Sequence, residues 1–94
     1  MFSNPRPNLV ESSEGFSVEV LGRAGMRYRE GDKSVLIDSE VLAPGKGIAV
    51  VAASIQNWVH PQHGSEPINS EQRTRIIANI RAAIESRGQL LEVV

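Results

Sequence analysis

Residues 26–37 constrain the fold more than any other part of this sequence. Gly31 and Asp32 separate two segments in which apolar and polar residues alternate, and glycine at the first position of a two-residue loop favours a type II′ hairpin turn. The register that this turn sets places the large apolar residues opposite one another on a single face of both strands. The predicted pairs are Met26 with Ile37, Tyr28 with Val35 and Glu30 with Lys33. The sequence therefore predicts an antiparallel hairpin with one apolar face.

A single amphipathic helix near the carboxyl end is predicted to cover that face. Asn69 and Gln72 have the spacing of a capping box, with Ile68 just before it, and Gly88 is placed to end the helix in the left-handed conformation. Between these signals, one apolar stripe follows helical spacing and consists of Ile76, Ile77, Ile80, Ala83 and Ile84. The flanking residues are mainly arginines, which is typical of a face in water.

Three further segments are predicted to be strands. Apolar residues occupy every second position of residues 16–20, which is typical of a half-buried strand. Residues 48–55 are apolar at nearly every position and predict a central strand, and residues 89–94 predict a last strand after the helix. The expected fold class is α+β, with a mostly antiparallel sheet of about five strands in the order β-β-β-β-α-β and one helix packed on one face.

Two segments are predicted to lack regular structure. Residues 1–14 contain two prolines and few apolar groups, so we expect a flexible N-terminal arm that Phe2, Leu9 and Val10 hold against the domain. Residues 57–68 contain two prolines and a glycine, which predict a long loop. A loop of that length in a small domain is a candidate functional element.

Composition limits the classes of function. The 94 residues suffice for one α+β domain, which we assign to residues 15–94. Ten lysines and arginines against eleven aspartates and glutamates give a net charge of −1, which provides no overall positive field for direct binding of nucleic acid. The absence of cysteine excludes disulfides and thiolate chemistry. Because no apolar run reaches signal-peptide or membrane-spanning length, the expected location is the cytoplasm, without membrane association.

No arrangement of residues predicts catalysis, a cofactor or a metal. His60, His63 and Glu66 have the side chains of a zinc site with one open position. They lie in a proline-containing segment that would not fix the two rings, so the favoured interpretation is an exposed pair of histidines. The serines lack a nucleophile-elbow motif, and no glycine-rich phosphate loop precedes the helix. We therefore expect a protein that is not an enzyme.

Two features can be interpreted either as ordinary structure or as contacts with another protein. Asp38 and Glu40 are two apart, hence on one face of a strand, together with Arg27 and Arg29. Cross-strand charge pairing on a solvated face explains them most simply, and an acidic docking patch is the alternative. Trp58 ends an apolar segment, so it either seals the edge of the core or anchors a partner.

Three segments, GMRYREGDKSVLIDSEVL, SIQNW and EPINSEQRTRIIANIRAAIESRG, resemble the bacterial immunity proteins of polymorphic toxin systems, in particular the immunity protein 74 family. The resemblance spans about residues 25–93. It implies a protein that binds and neutralises the toxic C-terminal domain of a secreted toxin, such as an effector of contact-dependent growth inhibition, in the cytosol of the producing cell. Many toxins of these systems are nucleases with basic clefts, which acidic residues of the immunity protein meet.

The toxin contacts that follow from this resemblance are mainly acidic. They are Glu30, Asp32, Asp38, Glu40, Trp58 and Glu66. Because the net charge is close to zero, any acidic patch must be local. Two alternatives stay open. One is a structural or regulatory domain that self-associates through an exposed edge strand at residues 89–94, and the other is a metal-dependent hydrolase that uses His60, His63 and Glu66.

Overall fold

The computed structural model describes residues 1–22, 25–62 and 64–94. In this part the chain forms ten β-strands, arranged in two sheets, and one α-helix. Mostly antiparallel pairing and a single helix confirm the predicted α+β class, although the strands are more numerous than expected. In chain order the elements are β1 (Phe2–Arg6), β2 (Leu9–Ser12), β3 (Phe16–Val20), β4 (Met26–Glu30), β5 (Lys33–Ile37), β6 (Ser39–Val41), β7 (Ile48–Val50), β8 (Asn57–His60), β9 (Gly64–Pro67), α1 (Ser70–Glu85) and β10 (Leu91–Val93).

The larger sheet contains seven strands in the order β1-β2-β3-β4-β5-β8-β9, and every neighbouring pair is antiparallel. Its centre is the hairpin of β4 and β5, in the predicted register, with Tyr28 opposite Val35. Gly31 has a φ of +60°, whereas Asp32 has no positive φ, as a type II′ turn requires. Turn type and apolar pattern therefore select the same register, which confirms the hairpin prediction.

The smaller sheet contains β10, β7 and β6 in that order, with β7 parallel to β10 and antiparallel to β6. All residues of β7 are buried, which agrees with the central strand predicted for residues 48–55. The strand is shorter than predicted because residues 52–54 form a 3-10 turn. The Ser54 hydroxyl stabilises this turn, since it donates to the Val51 carbonyl at 2.7 Å and accepts the Asp38 N–H at 2.9 Å.

The N-terminal segment forms β1 and β2 at one edge of the larger sheet, where an irregular arm was the expectation. Val10 is buried, and Phe2 packs edge-on against Phe16 with 6.0 Å between the ring centroids. Pro5 lies in β1, the outermost strand, where the register with β2 is interrupted and a missing N–H is tolerated. The apolar residues thus bring the whole segment into the sheet.

Residues 57–68 are also regular, so the predicted long loop is wrong. β8 and β9 form an antiparallel hairpin, and β8 pairs with β5. Pro61 lies in the turn between these strands, and Pro67 is the last residue of β9, the other edge strand of the sheet. Proline is tolerated at both places because neither interrupts a central strand. Trp58 attaches the hairpin to the core, where its side chain is buried.

Helix α1 contacts β2 and β3 of the larger sheet and β10 of the smaller one. Asn69 accepts the Gln72 N–H at 2.8 Å and donates its own N–H to the Gln72 side chain at 3.1 Å, which confirms the capping box. Gly88 has a φ of +76°, the left-handed conformation predicted after the helix. Four residues of the apolar stripe are buried, and Ile77 is half-buried. No helix in the described ranges has the length and hydropathy needed to cross a bilayer.

Candidate protein-binding surfaces

Trp58 closes the core beside the β4–β5 hairpin. Its side chain has no exposed surface, and its ring centroid lies 6.1 Å from that of Tyr28. Lys33 Nζ lies 4.6 Å from the ring centroid of Trp58, within the range of a cation–π contact. Trp58 Nε1 is buried and has no hydrogen-bond partner among the described residues. Trp58 therefore lies in the core, as in the interpretation that it seals the core edge, and none of its surface is accessible to a partner.

Glu30 joins β4 to α1. Its carboxylate accepts the Tyr28 hydroxyl at 2.7 Å and two N–H groups of Arg75 at 2.8 and 3.3 Å. Asn79 Nδ2 donates to the same hydroxyl at 2.8 Å. Burial raises the pKa of the Tyr28 phenol, so the phenol stays neutral and can donate to Glu30. Since Arg75 already balances the charge of Glu30, this predicted contact residue has a role inside the fold.

Glu66 pairs with His60 across the β8–β9 hairpin, with 3.0 Å between Oε2 and Nε2. The hydrogen bond with His60 holds the pKa of the exposed Glu66 below its ordinary value, and the charge of Lys33 acts in the same direction. His63, the third residue of the zinc alternative, lies outside the described residues. Within the described ranges, no three histidine, aspartate or glutamate side chains are grouped closely enough to hold a metal ion.

The predicted acidic contacts lie at both ends of β5 instead of in one cluster. Glu30, Asp32 and Glu66 are near the β4–β5 turn, while Asp38 and Glu40 follow the opposite end of the strand. At roughly 3.3 Å per residue, Asp32 and Asp38 are about 20 Å apart. Asp32, Asp38, Glu40 and Glu66 are exposed. A toxin must span this distance to contact both groups.

The predicted cross-strand pairing of Asp38 and Glu40 with two arginines is wrong. β5 ends before Asp38, and Glu40 lies on β6 in the smaller sheet, so neither carboxylate faces Arg27 or Arg29 on β4. The alternating pattern does not continue through Asp38 because the chain leaves one sheet for the other at this residue. Arg27 instead lies 3.5 Å from Glu19 on β3.

β10 lies at the edge of the smaller sheet, the position that the self-association alternative requires. The strand is only three residues long, and Arg81 donates to the Leu91 carbonyl at 3.2 Å. Arg81 therefore occupies an acceptor that an added strand would use. Extension of the sheet at this edge must displace that hydrogen bond.

The larger sheet has an open surface on the side turned away from α1, and its parts on β3, β4 and β5 lie on strands that the sequence predicts. We define this outer face by two rows of exposed or half-buried side chains that follow the strand register. The first row crosses β2, β3, β4 and β5 and contains Leu9, Glu19, Arg27 and Leu36. The second row continues through β8 and β9 and contains Glu11, Ser17, Arg29, Ser34, Val59 and Ser65.

The charged end of the outer face is positive. Arg27 and Arg29, together with Arg6 on the adjacent β1, line one shallow groove with Glu11 and Glu19, and these five side chains give a local charge of +1. Glu19 accepts a hydrogen bond from Arg6 at 2.9 Å and lies 3.5 Å from Arg27. Arg29 is exposed and forms no ion pair within the described residues. The groove therefore has more guanidinium groups than its own carboxylates can match.

Leu36 and Val59 form an apolar patch beside these arginines. They are 56% and 55% exposed and lie on the neighbouring strands β5 and β8. Leu36 lies directly opposite Arg27, while Val59 lies opposite Ser34, which is itself opposite Arg29. Apolar side chains next to arginine are typical of the centre of protein interfaces, where arginine is enriched over lysine.

An open sheet face that combines unmatched charge with exposed apolar side chains has the composition of a protein-binding surface, and the chain that carries it is a small α+β domain. The model of the family described as immunity protein 74 matches residues 17–94. The chain therefore belongs to the immunity protein 74 family, and this membership implies a protein partner, a toxin. No curated protein and no solved structure gives a significant match.

Proposed function

We propose that this protein binds the toxic C-terminal domain of a secreted bacterial toxin and neutralises it in the cytoplasm of the cell that produces both. The toxin is a nuclease of a contact-dependent growth inhibition system or of a related polymorphic toxin system. Membership of the immunity protein 74 family over residues 17–94 carries the proposal. The protein acts by forming a complex, with no turnover of its own.

Exposed acidic residues support the choice of a nuclease. A nuclease binds the phosphate backbone with basic side chains, and acidic groups on an inhibitor raise its rate of association with such a surface. Asp32, Asp38, Glu40 and Glu66 are exposed and supply that charge. Their placement at both ends of β5 allows them to guide an approaching toxin over a wide area.

Glu30 and Trp58 support this surface from inside the fold. Glu30 is held by Arg75 and Tyr28, and Trp58 is buried beneath Lys33. We assign these two residues the role of fixing β4 and β8, which lie beside Asp32 in the β4–β5 turn and Glu66 on β9.

Co-expression tests the proposal directly. The toxin domain encoded beside this gene is expressed in a sensitive host with and without this protein, and growth and nucleic acid integrity are followed. We expect growth and intact nucleic acid only when the protein is present, and a complex of the two proteins on gel filtration. The control is Ile80→Asp, which places a charge in the core and should abolish folding and protection together.

Growth reports protection, whereas nucleic acid integrity reports the chemistry of the toxin, so the two parts of the proposal are tested separately. Continued killing by a demonstrably cognate toxin, with no complex on gel filtration, would contradict the immunity function and favour the self-associating domain. Protection against a toxin that leaves nucleic acid intact when expressed alone would keep the immunity function and refute the nuclease assignment.

A further inference from the structure

We propose that the toxin docks on the outer face of the larger sheet, where it presents carboxylates to Arg27 and Arg29 around an apolar contact with Leu36 and Val59. This inference rests on the proposed function and specifies both the surface used and the chemistry of the partner. The occupant is an acidic and partly apolar patch of the toxin domain.

The charges of the outer face point to carboxylates on the partner. Glu19 is shared between Arg6 and Arg27, at 2.9 and 3.5 Å, and Arg29 forms no ion pair in the part of the chain that is described. Guanidinium groups bind carboxylates through paired, charge-assisted hydrogen bonds. A toxin carboxylate that faces Arg29 therefore gains hydrogen bonds without breaking an ion pair inside this protein.

The sheet fixes the backbone from which these arginines project before the toxin arrives. Arg27 and Arg29 project from β4, a strand with a paired neighbour on each side, and Glu19 restrains the Arg27 side chain. A surface that is already ordered loses less conformational entropy on binding. More of the contact energy then contributes to affinity, which favours this face over a surface that orders only in the complex.

Leu36 and Val59 provide an apolar centre next to the charges. Both are more than half exposed, and Leu36 lies directly opposite Arg27. Removal of such side chains from water favours association. An apolar toxin side chain bordered by carboxylates complements this arrangement in both polarity and charge.

A second copy of this chain is a poorer occupant than the toxin. The charged groove carries three arginines and two glutamates, so two copies of the outer face would bring net positive surfaces together. Like charges placed across an interface oppose association. The acidic residues Asp32 and Glu40 lie off this face, in the β4–β5 turn and the smaller sheet, and do not offset that charge.

Binding kinetics of four single variants with the toxin domain test the inference. Arg29→Glu reverses the unmatched charge, and Leu36→Asp places a carboxylate in the apolar patch. The matched controls are Arg87→Glu, at an exposed arginine just after α1, and Val41→Asp, at a side chain 58% exposed on β6. We expect each outer-face variant to raise the dissociation constant by about 30-fold or more, as at an interface hot spot, mainly through faster dissociation. The controls should stay within about threefold of the original protein.

Thermal unfolding checks that each variant folds, and we expect unchanged melting temperatures because all four side chains are exposed. Arg29→Gln and Val59→Ser replace any outer-face variant that melts early. If the outer-face variants bind as tightly as the controls, the inference is overturned while the proposed function stands. If the original protein neither binds nor protects, the proposed function fails and this inference fails with it. A dimer of this chain that Leu36→Asp dissociates would assign the outer face to a second copy and also overturn the inference.

Discussion

The Tyr28 hydroxyl belongs to a fully buried side chain, where a polar group without a partner would be destabilising. It donates to Glu30 and accepts from Asn79, and Glu30 in turn is held by Arg75. These bonds join β4 to α1: Arg75 lies 45 positions after Glu30 in the sequence, and Asn79 lies 51 positions after Tyr28. One phenol therefore helps to determine where α1 lies on the sheet.

We predict that Tyr28 resists ionisation while the protein is folded. Burial raises the pKa of its phenol above the ordinary value of 10.0, near which the unfolded chain ionises. The folded state thus binds more protons than the unfolded state above that pH, so the free energy of unfolding decreases as the pH rises past about 10. Tyr28 is the only tyrosine, so tyrosinate absorbance during an alkaline titration reports this group alone.

Circular dichroism, recorded beside that titration, shows whether ionisation accompanies unfolding. The control is the protein unfolded in denaturant, which should ionise near 10.0. Ionisation near 10.0 with the native circular dichroism spectrum retained would contradict the prediction.

Glu30 and Trp58 show how much of a residue's role depends on distant segments. The sequence indicates that both residues need partners, because a tryptophan in the core and a carboxylate on a strand are each stabilised by specific contacts. The partners are Arg75 for Glu30, and Tyr28 and Lys33 for Trp58. Only the folded chain brings these side chains together. The sequence alone therefore does not decide whether Glu30 and Trp58 belong to the fold or contact a partner.

Among the elements, those that the sequence predicts correctly are encoded locally. The β4–β5 hairpin follows from Gly31 and the alternation on both sides of it, and α1 follows from its capping box and apolar stripe. β1, β2, β8 and β9 contain or adjoin prolines and form because Val10 and Trp58 reach the core. That packing is a long-range effect, which overrides local propensity.

The outer face is likewise only partly predictable from local sequence. Arg27, Arg29 and Leu36 fall on one side of the predicted hairpin, so their shared face is visible in the sequence. Arg6 and Val59 complete the groove and the apolar patch from β1 and β8. Neither strand is predictable locally, so the groups that extend this surface appear only in the folded protein.

At the level of the helix, we predict that Ile80→Ala lowers the free energy of unfolding by about 2–5 kcal/mol, because Ile80 is fully buried and truncation leaves a cavity. Ile77→Ala is the matched control, since Ile77 carries the same side chain on the same helix but is only half-buried, and its loss should be smaller. Urea unfolding measures the free energy of unfolding of both variants. A loss below about 0.5 kcal/mol for Ile80→Ala would show that α1 does not pack on the sheet in this way.

Across the whole molecule, the net charge is close to zero although local regions carry charges of both signs. The net charge of −1 combines a groove of +1 on the outer face with exposed acidic residues at both ends of β5. Charges at a distance from the contact act on the rate of encounter, whereas desolvated contacts determine how long a complex lasts. The two kinds of surface should therefore affect different rate constants.

We predict that Asp38→Lys combined with Glu40→Lys slows association with a basic toxin by about tenfold at low salt and leaves dissociation nearly unchanged. Both side chains are exposed and lie off the outer face, so they attract the toxin without contacting it at the centre of the complex. The difference should shrink as salt rises, because the Debye length falls to about 8 Å at physiological ionic strength. Surface plasmon resonance at several salt concentrations measures both rate constants, and Asp38→Asn with Glu40→Gln, which removes the charge without reversing it, should give an intermediate rate. Faster association of the lysine variant would show that the toxin surface facing these residues is acidic, and attraction would then come from the arginines of the outer face.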